Sequence, residues 1–255
     1  MRAIETEGAD WMFREGRYES PEAMFQATEP VMRGLPDAPE QSFAEFVKAR
    51  QAGADAQQWA RRFIEGFHAA RTEEIGVHGL AAANRAGDAI GGDRTFRLEG
   101  GYESLIEWLQ RGVNAEIRYG IVVKSVAWQR GRVDVRTGSG EFHADRLICT
   151  APIGVLAARG LRFDPEPDRL RAALEAIAMG HAARIALRFR RAVWEDRPEL
   201  RGLGFLFSEE TTMPTWWTAA PAHEPLIVGW TGGPAAEALP ADIDAWPRRV
   251  SARRK

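Results

Sequence analysis

Cysteine is nearly missing from this sequence: Cys149 stands alone in 255 residues. That excludes an intramolecular disulfide framework and a cysteine-based zinc cluster. An excess of charge of one sign is missing too. Lys and Arg number 34 against 36 Asp and Glu, a formal net charge of -2, without the basic surplus of a general nucleic-acid binder. No run approaches the roughly 18 apolar residues of a membrane span, so no membrane partner is expected. The opening Met1-Arg2-Ala3-Ile4-Glu5-Thr6-Glu7 is acidic and has no apolar core. No secretory signal is read there, and a reduced, cytoplasmic protein is the expectation. Also absent are G-x-G-x-x-G, the P-loop, H-E-x-x-H and the G-x-S-x-G elbow. His68, His78, His143, His181 and His223 are scattered without metal-ligand spacing, so no metal is expected.

What is present suits a globular chain. Apolar residues make up 45% and charged residues 27%, enough for a sizeable core in one large domain or two intertwined ones. Nine tryptophans suggest buried aromatic walls or a cavity. The first third reads as helical. Ser42 and Glu45 form a capping-box pattern. Trp59, Phe63 and Phe67, with Ile64 beside them, make an apolar helical stripe. A further short helix is expected from Val77 to Arg85.

The texture changes near Asp93. Thr95 to Leu98 reads as a strand, followed by Gly100-Gly101 and a helix carrying Leu105, Ile106 and Leu109. Extended runs are expected at Ala115 to Tyr119, Ile121 to Trp128 and Arg132 to Arg136. Leu147-Ile148-Cys149-Thr150 reads as a short buried strand stopped by Pro152. After Pro165 and Pro167 comes a helix with Leu170, Ala173, Leu174 and Ile177 on one face. Ala183, Ile185, Leu187 and Phe189 then alternate with Arg184, Ala186, Arg188 and Arg190, a strand with one buried and one polar face. More strands are expected at Gly204 to Phe207, Thr215 to Thr218 and Leu226 to Trp230.

From Arg97 to Trp194 the chain resembles the central part of the flavin-containing amine oxidases. The likeness is an ordered series: Leu98-Glu99-Gly100-Gly101-Tyr102; Ala115 to Tyr119 leading to Val122 to Val126; Ala144 to Leu156; Phe163-Asp164-Pro165; and Met179-Gly180 leading to Arg184 to Phe189 and Val193-Trp194. Trp230-Thr231-Gly232-Gly233-Pro234-Ala235-Ala236 is similar to a segment of bacterial members.

The resemblance implies an α+β fold in which an incomplete FAD domain interleaves with a substrate domain of helices and an antiparallel-rich sheet. Its expected parts are a mainly helical substrate-domain part (1–97), a partial FAD-binding domain (98–172), the substrate-domain sheet (173–240) and a basic, disordered tail (241–255). It implies FAD as cofactor, a small-molecule substrate such as an amine, and hydride transfer to flavin. It also implies an internal fragment lacking the Gly-rich FAD loop and the C-terminal FAD segment, with a separate chain as one source of both. Two alternatives stay open: a non-catalytic or partner-binding remnant, and a desaturase or protoporphyrinogen-oxidase-like relative.

By the same resemblance, Val123 meets the adenine through its backbone, Gly100 and Gly101 lie near the isoalloxazine, and Thr150, Ala151 and Pro152 run beside the FAD. Arg184 stands where the family usually has a lysine aimed at the flavin. As an arginine it is no neutral base, but its fixed charge can stabilise reduced flavin or hold a water or an anionic substrate. Trp194, Trp216, Trp217 and Trp230 are candidates for a substrate wall that attracts amines by cation–π contact.

Overall fold

The computed structural model describes residues 2–92, 94–209 and 212–242. The expected disordered tail lies almost wholly outside them. The chain divides into two compact units, one of residues 1–108 and 180 onward, the other of residues 109–179.

The first unit opens on strands β1 (Ala3–Glu5), β2 (Ala9–Arg14) and β3 (Arg17–Glu19). Helices α1 (Glu22–Met32), α2 (Phe43–Lys48), α3 (Ala54–His68) and α4 (Val77–Ile90) follow, then β4 (Phe96–Leu98) and α5 (Gly101–Arg111), which runs into the second unit. That unit holds β5 (Val123–Gln129), β6 (Arg132–Thr137), β7 (Glu141–Ala144), α6 (Ile153–Ala157), β8 (Arg162–Asp164) and α7 (Leu170–Glu175). The chain returns to the first unit with β9 (Ala182–Arg188), β10 (Leu203–Ser208), β11 (Thr215–Thr218), β12 (Leu226–Gly232) and α8 (Pro234–Glu237).

Among the described residues the first unit is built on a six-stranded sheet ordered β3-β2-β10-β11-β12-β9, antiparallel except where β2 lies parallel to β10. Beside it, the helices bury one cluster: Val31, Leu35, Phe43, Phe46, Val47, Ala60, Ile64, Val77, Leu80 and Ala81. Helix α2 starts where the sequence says it should. The Ser42 hydroxyl accepts from the Glu45 N–H at 3.2 Å, and the Glu45 carboxylate accepts from the Ser42 N–H at 3.1 Å, so two end donors are satisfied reciprocally. The second unit is a four-stranded sheet ordered β7-β6-β5-β8, with Val126 and Val133 buried.

Several expectations need correction. The first third is not wholly helical, because β1, β2 and β3 occupy its start. The aromatic stripe of α3 is not its buried face: Ala60 and Ile64 are fully buried, while Phe67 is 71% exposed. The stretch Ala115 to Tyr119 forms no strand. Leu147 to Thr150 is neither strand nor buried, and Ile148 is 90% exposed. An apolar run makes a buried strand only where a neighbouring strand takes up its N–H and C=O groups, and no described strand pairs there. Likewise α5 and α7 carry their apolar residues but bury none fully.

Candidate functional site

The register of the large sheet places the candidate residues. Residues opposite one another in an antiparallel pair share a face, and successive residues alternate. Arg184 lies opposite Trp230, and Ala186 opposite Val228. Val228 in turn lies opposite Trp217. Trp217 lies opposite Phe205, with ring centroids 6.0 Å apart. Arg184, Trp230 and Trp217 therefore occupy one face.

Trp216 and Trp194 lie on the other. A side chain at Gly229 would stand 2.7 Å from the Trp216 ring and 3.0 Å from Ile185. The Trp216 indole donates to the Met213 carbonyl at 2.8 Å. Trp194 is buried with Leu200 and Leu203, against Trp11, Leu206 and Ile227. Its cluster borders a cavity of about 250 Å³ lined in part by Glu7, Glu195 and His223. The four tryptophans are thus two pairs, one on each side of the sheet.

The C-terminal end of α3 closes over the Arg184 face. The Trp230 indole N–H donates to the Gly66 carbonyl at 2.8 Å. Gly232, on the same face, leaves room for that helix: a side chain there would stand 2.6 Å from the same carbonyl. Gly180, at the entry to β9, packs as closely, since a side chain there would overlap the Ala69 carbonyl. Backbone cannot move aside as a side-chain tip can. Gly180→Ala is therefore expected to cost about 1–3 kcal/mol and to lower the thermal midpoint by several degrees in calorimetry. An unchanged midpoint would mean that this approach is not tight.

A residue missed in the sequence bonds to the sheet from β4. Arg97 is half-buried, and its Nη2 donates to the Thr218 carbonyl at 2.6 Å. Thr218 is itself held, its hydroxyl donating to the Leu203 carbonyl and accepting from the Ala220 N–H. The Nε of Arg97 is buried with no hydrogen-bond partner. Burial, and after it the nearby charge of Arg184, push the Arg97 guanidinium below its ordinary pKa. The only sequence signal was an arginine within an apolar strand just before Gly100-Gly101.

Gly100 and Gly101 form the turn into α5 with φ of 85° and 76°, values that favour glycine. Ser104 Oγ donates to the Gly101 carbonyl at 2.6 Å. A side chain at Gly101 would meet no atom within 4 Å, so the backbone is open to a flat group. In the second unit, Val123 begins β5, half-buried and opposite Thr137. Thr150 and Pro152 are exposed and Ala151 half-buried, and the Pro152 carbonyl accepts from the Val155 and Leu156 N–H groups. Gly100 and Gly101 in the first unit, and Val123, Thr150, Ala151 and Pro152 in the second, are all exposed or half-buried.

The first unit sets a mostly antiparallel six-stranded sheet beside a cluster of helices, and the second is a smaller α+β unit inserted between its two chain segments. The chain belongs to the flavin containing amine oxidoreductase family, whose sequence pattern matches residues 5–245. FAD is the cofactor of that family. A lysine-specific histone demethylase 1 homolog 2 of Arabidopsis thaliana is 35% identical over 153 residues, 60% of this chain and 19% of that protein. Polyamine oxidase 3 of Oryza sativa subsp. japonica is 29% identical over 170 residues, 62% of this chain and 32% of that protein. A redesigned putrescine oxidase superposes with a TM-score of 0.74 at 15% identity, covering 94% of this chain and 62% of that one. Cyclohexylamine oxidase from Brevibacterium oxydans IH-35A gives 0.72 at 14%, covering 97% and 62%. At such identity these two show the fold alone. This chain spans less than two thirds of each relative.

Proposed function

We propose that this chain forms the substrate-facing part, and some of the cofactor-facing part, of an FAD-dependent oxidoreductase acting on a small amine. Arg184, Trp217 and Trp230 on one sheet face, in a chain of this family, carry the reading. The names of the putrescine, cyclohexylamine and polyamine oxidases support an amine.

Bound FAD supplies the hydride acceptor. Gly100 and Gly101 of the first unit, and Val123, Thr150, Ala151 and Pro152 of the second, would hold it through backbone. Trp217 and Trp230 keep water from the amine and hold it flat. Arg184 contributes a fixed positive charge. That charge disfavours a second one nearby, so it favours the neutral amine, whose lone pair assists hydride loss.

The test joins this chain to the Gly-rich FAD-binding segment of a family member and loads it with FAD. Anaerobic addition of putrescine or cyclohexylamine is expected to bleach the flavin absorbance. A flavin-loaded protein that no amine in a broad panel bleaches overturns the reading.

A further inference from the structure

Two carboxylates share one hydroxyl proton at the end of α3. Thr72 is fully buried in the turn that follows the helix. Its hydroxyl oxygen lies 3.3 Å from the Glu65 carboxylate and 3.1 Å from that of Glu73. Arg61 donates to the same oxygen at 3.2 Å and to Glu73 at 3.4 Å, and its other terminal nitrogen donates to the Ala44 carbonyl of α2 at 3.3 Å. A hydroxyl has one proton to give and two lone pairs. With both carboxylates ionised, Thr72 serves only one of them, and the other faces a bare oxygen in a buried place, which is costly. Glu73 also has Arg61, whereas among the described residues Thr72 is the one hydrogen-bond partner of Glu65. A proton on Glu65 removes the conflict. Its O–H donates to Thr72, the Thr72 O–H donates to Glu73, and both lone pairs of Thr72 are then filled, by Glu65 and Arg61.

We propose that Glu65, Thr72 and Glu73 form a pH-sensitive latch, in which a proton on Glu65 fixes the C-terminal end of α3 against β12 and its loss loosens that end from Trp230. The link is short. Glu65 directly precedes Gly66, whose carbonyl takes the Trp230 indole N–H. The Glu65 backbone also packs at the end of β12, since a side chain at Gly233 would stand 3.0 Å from its carbonyl. Burial pushes the Glu65 carboxyl above its ordinary range; the Thr72 hydroxyl pulls it back, the Glu73 charge pushes it up again, and Arg61 and Arg62 pull it down. Trp230, Gly232 and Gly233, which meet this end from the sheet, carry no charge. Arg71 and Glu237, which tie the same turn to α8, pair with each other. A carboxyl whose value is raised by folding contributes stability below its unfolded value and loses it as pH rises through the raised one. The latch is therefore closed in acid and released as pH rises.

The experiment uses the full chain without flavin, so its outcome is independent of the oxidase test. The carboxyl carbon signal of Glu65 and the indole N–H signal of Trp230 are followed by NMR from about pH 4 to about pH 9, a range that begins near the ordinary glutamate value of about 4.3. The two signals are expected to titrate together, with a midpoint above that value. Each unit of upward shift corresponds to about a tenfold loss in the folding constant across the titration. Glu65→Gln keeps the shape and supplies a permanent donor to Thr72. Its Trp230 signal is expected to stay at the acid position at every pH, and its thermal midpoint to exceed that of the unaltered protein increasingly as pH rises. Thr72→Val keeps the shape without the hydroxyl and is expected to leave Trp230 at the high-pH position throughout. A Glu65 midpoint at or below the ordinary value, a Trp230 signal that does not follow Glu65, or a Trp230 signal that still titrates in the Glu65→Gln protein overturns the proposal.

Discussion

Purified from a host with ample flavin, this chain is expected to be colourless. The pyrophosphate of FAD carries two negative charges and usually rests on the free N–H groups of a helix start reached through close glycines. In this chain the long helices have their starts occupied by acid. Glu22 stands in the first turn of α1, Asp55 in that of α3 and Glu103 in that of α5. At α4 the Glu40 carboxylate accepts from the His78 N–H at 3.2 Å. Each acid already answers the positive end of its helix and repels a phosphate. Losing even two charge-assisted contacts at about 1.5–3 kcal/mol each weakens binding at least about a hundredfold. The contacts offered by Gly101, Val123 and Thr150 to Pro152 address the rings, which carry less of the charge-driven affinity. Absorbance of the dialysed protein checks this, and equimolar flavin would sink it. Joined to a Gly-rich segment, the same chain is expected to turn yellow.

The parts legible in the sequence are those whose cause is local. Period-2 alternation from Ala183 to Phe189 marked β9 and the polar side of Arg184, because a strand with one buried face writes its geometry into every second residue. Ser42 and Glu45 marked the start of α2, because a cap is settled within four residues. Strand β2 was not legible, since it exists by lying parallel to β10 across nearly 200 positions of sequence. The one local sign was Glu15-Gly16 between Phe13 and Tyr18, a tight turn with positive φ at both positions. Helix α3 was legible as a helix but not in its orientation. Trp59, Phe63 and Phe67 are its largest side chains, yet the space under the helix admits Ala60 and Ile64, and size alone does not select the buried face. In the candidate site the tryptophans were visible, whereas their division between two faces came only with the register of β11 against β12. The bond of Arg97 was invisible, because its acceptor, the Thr218 carbonyl, lies far along the chain.

That misread helix separates two substitutions that look alike on paper. Phe43 and Phe67 are both apolar rings on amphipathic helices. Phe43 is wholly buried among side chains from the surrounding helices, close to Phe46 at 5.9 Å between centroids. Phe67 stacks on Phe63 at 5.5 Å but faces solvent. Phe43→Ala removes a full ring from a packed site and is expected to cost about 3–5 kcal/mol, a large share of the roughly 5–15 kcal/mol that holds a domain folded. Phe67→Ala is expected to stay within about 0.5 kcal/mol. The loss at Phe43 reaches the site as well. Ala60 and Ile64 anchor α3 in the same cluster, and α3 supplies the Gly66 carbonyl that fixes the Trp230 indole. Loosening the cluster frees that carbonyl and leaves Trp230 open to water. Urea unfolding of both variants, read by tryptophan fluorescence, checks the pair of values. The Phe43→Ala protein is expected to show a red-shifted emission before its main transition, and the Phe67→Ala protein none. Equal midpoints for the two variants would mean that the helical cluster does not position α3 over the sheet.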